Sequence, residues 1–385
     1  MANKVIKLKG ITWDHSRGYC PMVATAQRFS EIHPNVEIEW DKRSLQGFAD
    51  EHIDQLALNY DLLVIDHPWA GYAADTKIIL PLNDYLPESF LEDQKNNSVG
   101  RSYESYNFGG DQFALPIDAA TPVASSRPDL MERMNLSLPK TFNELLHLAS
   151  KGVVTMPGIP IDTLMNFYMF CGVSGETPFQ SPDQVVNEDV GKRALDMLKE
   201  LADRLNPEFF YWSPIQVCEA MTTRDDLAYC PWAYGYSNYS RKGYTSKLLH
   251  YHNLINDDKN EIYRSTLGGT GLAISTKSKY KEIASEYAML VANPGSQSTL
   301  FFENGGQPGH KKAWEDENVN AQSANFFKST LKTLDNAFLR PRYNGYMHFQ
   351  DNAGDVIRDY LMNGGHPSDV LSSINKIYLE SKGEK

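Results

Sequence analysis

The chain has 385 residues, 41% of them hydrophobic and 22% charged, which is more than one ordinary core accommodates and predicts two lobes. A formal net charge of −12 with a pI near 5.3 argues against a nucleic-acid binder, because phosphate neutralisation needs a basic face and no Lys/Arg cluster supplies one. No uninterrupted apolar run approaches the ~18 residues of a membrane-spanning helix.

The first strand is VIKLKGITW, after which Pro21 is expected to open a helix whose stripe is Met22, Ala26, Phe29 and Ile32. Val36, Ile38 and Trp40 alternate as a second strand. Leu45, Phe48, Ala49, His52, Ile53 and Leu56 form a second helical stripe, and DLLVID is a continuous apolar strand. This β-α-β-α-β order with short connections favours a parallel sheet covered on both faces.

Ligands of open sheets bind beyond the carboxyl ends of the strands. Trp13-Asp14-His15, Trp40-Asp41-Lys42-Arg43 and Asp66-His67-Pro68-Trp69 all fall at that edge. Each Asp alone would be a helix cap and each Trp a cover for the sheet. Three such junctions in succession point to a binding rim.

Farther on, FGGDQFALP reads as a tight turn before a strand, and PIDAATPVASS as an extended segment. Thr141 and Glu144 form a capping box for a helix through Leu145, Leu146 and Ala149. A long amphipathic helix carries Val190, Ala194, Leu195, Leu198, Leu201 and Leu205. TLGGTGLAISTKS reads as a strand between glycine turns, and KYKEIASEYAMLVANP as a further helix.

The four cysteines (Cys20, Cys171, Cys218, Cys230) show no CxxC and no histidine at zinc spacing, so they read mostly as small buried hydrophobes. A Cys218–Cys230 disulfide is the alternative that an oxidising compartment would permit. The start MANKVIKLKG has no apolar signal region, which fits either a cytoplasmic protein or a mature form with an added start codon. HExxH, GxSxG, GxxxxGK[ST] and GxGxxG are all missing, and neither a metal nor a cofactor is expected.

The ordered segments YDLLVIDHPWAGYAADTKIILPLNDYL, FGGDQFALPIDAATPVASSRPDLMERMNLSLPKTFNELL, AYCPWAYG and LGGTGLAISTKSK resemble the extracellular solute-binding proteins of bacterial ABC importers, in the maltose-binding-protein-like, sugar-binding branch. The resemblance runs from about Lys4 to about Glu380. It implies the α/β, two-lobe periplasmic-binding-protein fold, each lobe a mainly parallel sheet flanked by helices, with the ligand in a cleft between the lobes. The implied segments are 1–117 in lobe 1, 118–264 in lobe 2, 265–315 back in lobe 1, and 316–385 in lobe 2 with the C-terminal helices. PIDAATPV would be the first crossing, Tyr263 to Gly268 the return, and a third would follow Trp314.

Carried over by position, the resemblance implies a sugar site at Trp13, Asp14, His15 and Arg17, at Lys42 and Arg43, at Asp66, His67 and Trp69, at the hinge residue Asp118, at Trp232, Tyr234 and Tyr236, at Thr270, and at Asn304 and Gln307. Arg342 and Tyr343, in LRPRYNGY, are further candidates that would reach in from the second lobe, with helix packing as the equal alternative. Sugars need this mixture because their CH faces pack on aromatic rings while hydroxyls pair with Asp, Asn, Arg and Trp. Many members carry an aromatic where this chain has Thr270, which removes one stacking platform. Trp13 and Trp69 fit core packing equally well, His15 and His67 fit structural hydrogen bonding, and Trp232 is expected on a loop because Pro231 and Gly235 flank it.

The implied function is a non-catalytic, monomeric receptor, periplasmic or anchored outside the cytoplasmic membrane as a lipoprotein, that delivers a sugar-like solute to a permease. Arg17, Lys42 and Arg43 at one rim raise an acidic solute, such as a sugar acid or carboxylate, as an alternative. A glycan-active hydrolase using two of Asp14, Asp66 and Asp118 is another. A cytoplasmic sensor reusing the fold would carry a regulatory domain, and the sequence shows none.

Overall fold

The computed structural model describes residues 5–45, 47 and 51–383. Phe48 and Ala49 of the second helical stripe lie outside the described residues. The chain forms two compact units. Unit 1 is Met1–Ala120, Gly268–Ala321 and Arg342–Asn344; unit 2 is Thr121–Leu267, Gln322–Pro341 and Gly345–Lys385.

Unit 1 is built on a five-stranded sheet. Strands β1 (Ile6–Trp13), β2 (Val36–Arg43) and β3 (Leu62–Ile65) pair in parallel with β1 in the middle. The intervening helices α1 (Ser16–Ile32) and α2 (Ile53–Asn59) make the connections that parallel pairing requires. Helix α1 starts five residues before the expected Pro21, which lies inside it; His15 caps the helix by accepting from the Arg17 N–H at 3.0 Å. Its buried stripe is Arg17, Pro21, Met22, Thr25, Ala26 and Phe29, and Ile32 is exposed.

The small strands β4 (Asn107–Phe108) and β5 (Asp111–Gln112) form the turn expected at FGGD. Gly109 and Gly110 both take positive φ, 64° and 98°, as a two-residue hairpin turn demands. Strand β6 (Leu115–Ala120) ends unit 1's first segment, β7 (Pro122–Ser126) opens unit 2, and β10 (Gly268–Ile274) completes the first sheet in the order β2-β1-β3-β10-β6, antiparallel to both neighbours.

Unit 2 holds β7, β8 (Tyr229–Tyr234) and β9 (His250–His252). Both pairings of β7 are antiparallel, which corrects the expectation of a mainly parallel second sheet. One parallel element remains there: residues 153–155 run beside β8 through Val154↔Tyr229, with the Thr155 N–H donating to the Tyr229 carbonyl at 3.1 Å. Around the sheet pack α3 (Phe142–Ala149), α4 (Pro160–Val173), α5 (Glu188–Ala202) and the C-terminal α8 (Tyr346–Asn363) and α9 (Pro367–Gly383), with α6 (Lys281–Ala292) in unit 1 and α7 (Phe326–Asn336) in unit 2. At α3, Thr141 caps the Glu144 N–H as expected, but the Glu144 carboxylate accepts from the Lys140 N–H, so the box closes one residue early.

All four cysteines are free, Cys20 exposed and the others buried, so the Cys218–Cys230 disulfide does not form. Among the described residues no helix is long and apolar enough to cross a membrane.

Candidate functional site

The carboxyl edge of unit 1's sheet is where the rim residues fall, and each is engaged within the unit. The Arg17 guanidinium donates twice to Asp118, Nε to Oδ2 at 2.8 Å and Nη2 to Oδ1 at 2.5 Å, with both side chains buried. Burial pushes the Asp118 carboxyl up and Arg17 opposes that shift. Lys42 pairs with Asp14 at 2.8 Å on the surface, over the Tyr19 ring. Arg43 is buried and reaches the Gly47 carbonyl at 3.1 Å and Glu51 at 3.3 Å. All three cations therefore have carboxylate partners, and the excess positive charge that favoured an acidic solute is absent from this edge.

Asp66 accepts from the His67 N–H at 2.8 Å and caps the short turn His67–Trp69. His67 is buried, edge-on to Tyr106. Trp69 is buried between His52 and Tyr72, and Trp13 lies in the core over Gly18. His15 is pushed down to about 4 by burial and by the Arg17 charge, which keeps its ring neutral and able to accept as a cap. Asp14, Asp66 and Asp118 each accept bonds from this unit's own groups.

Around Asp118, β10 and the 307–309 segment close in. Thr270 is the register partner of Asp118, Gln307 donates to the Ala119 carbonyl at 2.9 Å, and Pro308 bridges to Asp118. The Thr270 hydroxyl is buried and has no hydrogen-bond partner among the described residues. Asn304 is exposed and bonds to the Leu300 carbonyl.

Arg342 belongs to unit 1. Its guanidinium donates to the carbonyls of Glu104 (2.6 Å), Ser105 (3.3 Å) and Asn107 (2.5 Å), which replaces the expected reach from the second lobe with a strap role.

In unit 2, Trp232 is not on a loop but inside β8, fully buried and edge-on to Phe170 at 5.4 Å. Tyr234 at the strand end shares a 2.8 Å bond with Thr266, and the buried Tyr236 follows. Residues 153–155 run parallel to β8, and α4 starts five residues later, so its first turn rises from the carboxyl edge of that pair. That turn carries Asp162, which the sequence reading passed over. Asp162, Asn166 and Phe170 recur every four residues on one face of α4, and the last of these meets Trp232.

Asp162 Oδ2, Asn166 Nδ2 and Trp232 Nε1 are all buried with no hydrogen-bond partner among the described residues. Burial alone pushes the Asp162 carboxyl up to about 8. Each such atom costs on the order of 1–3 kcal/mol while unpaired. Asp162 and Asn166 stand one turn apart on the same face of α4, each with an unpaired polar atom. Among the described residues no His/Cys/Asp/Glu group could hold a metal.

The family of bacterial extracellular solute-binding proteins matches residues 19–298. A maltotriose-binding protein of Pyrococcus abyssi (strain GE5 / Orsay) is 25% identical over 126 residues, 33% of this chain and 26% of the relative, so the match spans about a quarter of that protein's length. Among solved structures, maltose-bound T. maritima MalE3 superposes with a TM-score of 0.83 at 17% identity, covering 98% of this chain and 100% of that one. An ABC-transporter solute-binding protein of Thermotoga lettingae TMO bound with α-D-tagatose gives 0.82 at 17% identity, covering 97% and 100%. One from Agrobacterium radiobacter K84 in complex with ribitol gives 0.81 at 16% identity, covering 99% and 100%. These likenesses establish the two-lobe fold along nearly the whole chain, and the family match covers 280 of its 385 residues (298 − 19 + 1). The chain belongs to the bacterial extracellular solute-binding protein family.

Proposed function

We propose that the chain is the receptor of an ABC importer, capturing a saccharide or sugar-like polyol outside the cytoplasmic membrane and delivering it to a separate permease without chemistry of its own. The observation that carries this reading is the unpaired pair at Asp162 and Asn166, one turn apart on α4, to which a hydroxylated solute supplies a donor and an acceptor. Tyr234, at the end of β8, is the next contact in this reading. Maltose, tagatose and ribitol in the structural neighbours point to the same ligand class.

A thermal-shift panel of mono- and oligosaccharides, polyols, sugar acids and simple carboxylates tests it. A solute at about 100 times its dissociation constant adds ~2.7 kcal/mol of stability. Selective shifts with saccharides or polyols are expected. Shifts confined to carboxylates, or turnover of chromogenic glycosides above blank, would overturn the reading.

A further inference from the structure

Asp162 differs in kind from the other acids at the strand ends. Asp14 and Asp118 each face a cation of their own unit, and Asp66 is spent on a turn. Asp162 is 4% exposed, its Oδ2 has no partner among the described residues, and no cationic side chain contributes to its titration. The neighbours that define its surroundings are neutral. Asn166 stands one turn on, along the same face of α4. The Cys230 thiol interacts with it from β8 and is itself held protonated by burial. From α8, the Gly354 backbone packs on Pro160 and accepts a bond from Thr163 at 3.3 Å.

A buried carboxylate without a counter-ion is strongly disfavoured, and a cation brought to it converts that cost into a charge-assisted hydrogen bond. Neutral hydroxyls gain no such increment. The positive groups at the edge of unit 1 are all neutralised, so an anionic solute finds no equivalent anchor there.

We propose that Asp162 anchors a protonated amine on the solute, so that the saccharide this chain captures is an amino sugar, with Asn166 donating to a neighbouring oxygen. This rests on the reading of the chain as a saccharide receptor. The carboxyl keeps its proton at neutral pH until the ammonium group arrives, and binding then releases that proton to the buffer.

The test is titration calorimetry on the full chain with chitotriose, the fully deacetylated glucosamine trimer, against N-acetylchitotriose and maltotriose. The expected result is a preference of about tenfold or more for chitotriose, lost in Asp162→Asn. A wild-type binding heat at pH 7 that varies with the buffer's ionisation enthalpy is the second expected result, and it does not depend on any variant folding. Neutral trimers binding as tightly as chitotriose, with Asp162→Asn unchanged, would overturn the amine assignment and leave the saccharide reading standing. Failure of every saccharide, charged or neutral, would overturn both.

Discussion

Arg17 and Asp118, 101 residues apart, meet through two parallel hydrogen bonds with their side chains 4% and 1% exposed. The pair ties the first turn of α1 to the last strand of unit 1's first segment, two residues before the chain passes into unit 2. Removing one member strands the other charge in a low-dielectric site. Arg17→Met and Asp118→Leu are each expected to cost about 3–5 kcal/mol of folding stability, while the double replacement costs much less. Denaturant unfolding of the three variants measures this, and a double-variant loss equal to the sum of the two single losses would show that the pair is not coupled.

Trp232 is predicted to act through its N–H as well as its ring. Trp232→Phe keeps an aromatic against Phe170, so its folding stability is expected within about 1.5 kcal/mol of the parent. Its affinity for a bound saccharide should fall by about 0.5–1.5 kcal/mol, the net worth of one hydrogen bond. Calorimetry on a saccharide found in the thermal-shift panel decides the matter. An unchanged dissociation constant assigns the indole wholly to the core.

The parallel start of unit 1's sheet and the turn at FGGD were legible because their signals are local: alternating strands, short connections and two adjacent glycines. Charge at the rim was not. Lys42 and Asp14 are 28 residues apart and Arg17 and Asp118 are 101, so a one-dimensional reading saw three cations and could not see their partners. Asp162 was missed for a different reason. Every residue of α4 from Asp162 to Cys171 is buried, so no apolar stripe sets off a polar face, and an Asp in a first helical turn looks like an ordinary favourable charge. The spacing Asp162, Asn166, Phe170 was the available signal, and it becomes meaningful only once β8 is placed against it.

His15 makes the stability of unit 1 sensitive to mild acid. Its folded-state pKa is about 4, well below the ordinary histidine value of 6.5, because burial and Arg17 disfavour the imidazolium. Above pH 6.5 the ring is neutral in both states and costs nothing. As pH falls from 6.5 towards 4 the unfolded chain takes up a proton that the folded chain refuses, so stability is lost across that window. His252, pushed down to about 4 by burial, acts in the same direction in unit 2. His15→Asn retains a good helix cap without the titration. The gap between variant and parent should therefore move in the variant's favour between pH 7 and pH 5 in matched denaturant curves. A pH-independent gap would rule out His15 as a source of acid sensitivity.

The strap at Arg342–Asn344 is held to unit 1 by backbone proximity as much as by its guanidinium. A Cβ on Gly71 would stand 1.7 Å from the Arg342 carbonyl oxygen, and Asn344 bonds Asp75 at 3.0 Å in the short helix Ala70–Thr76 that carries Gly71. Gly71→Ala cannot be accommodated without moving one backbone or the other, and an overpacked contact of this kind costs about 1–3 kcal/mol. Arg342→Ala leaves the backbone contact intact but withdraws donors from three carbonyls. If the strap is displaced, Gly71→Ala should expose the bonds around 340–346 to limited proteolysis more than Arg342→Ala does, because only the former pushes the main chain away. Equal cleavage in both variants would place the hold in the guanidinium, and no new cleavage in either would show that unit 1 keeps the strap without them.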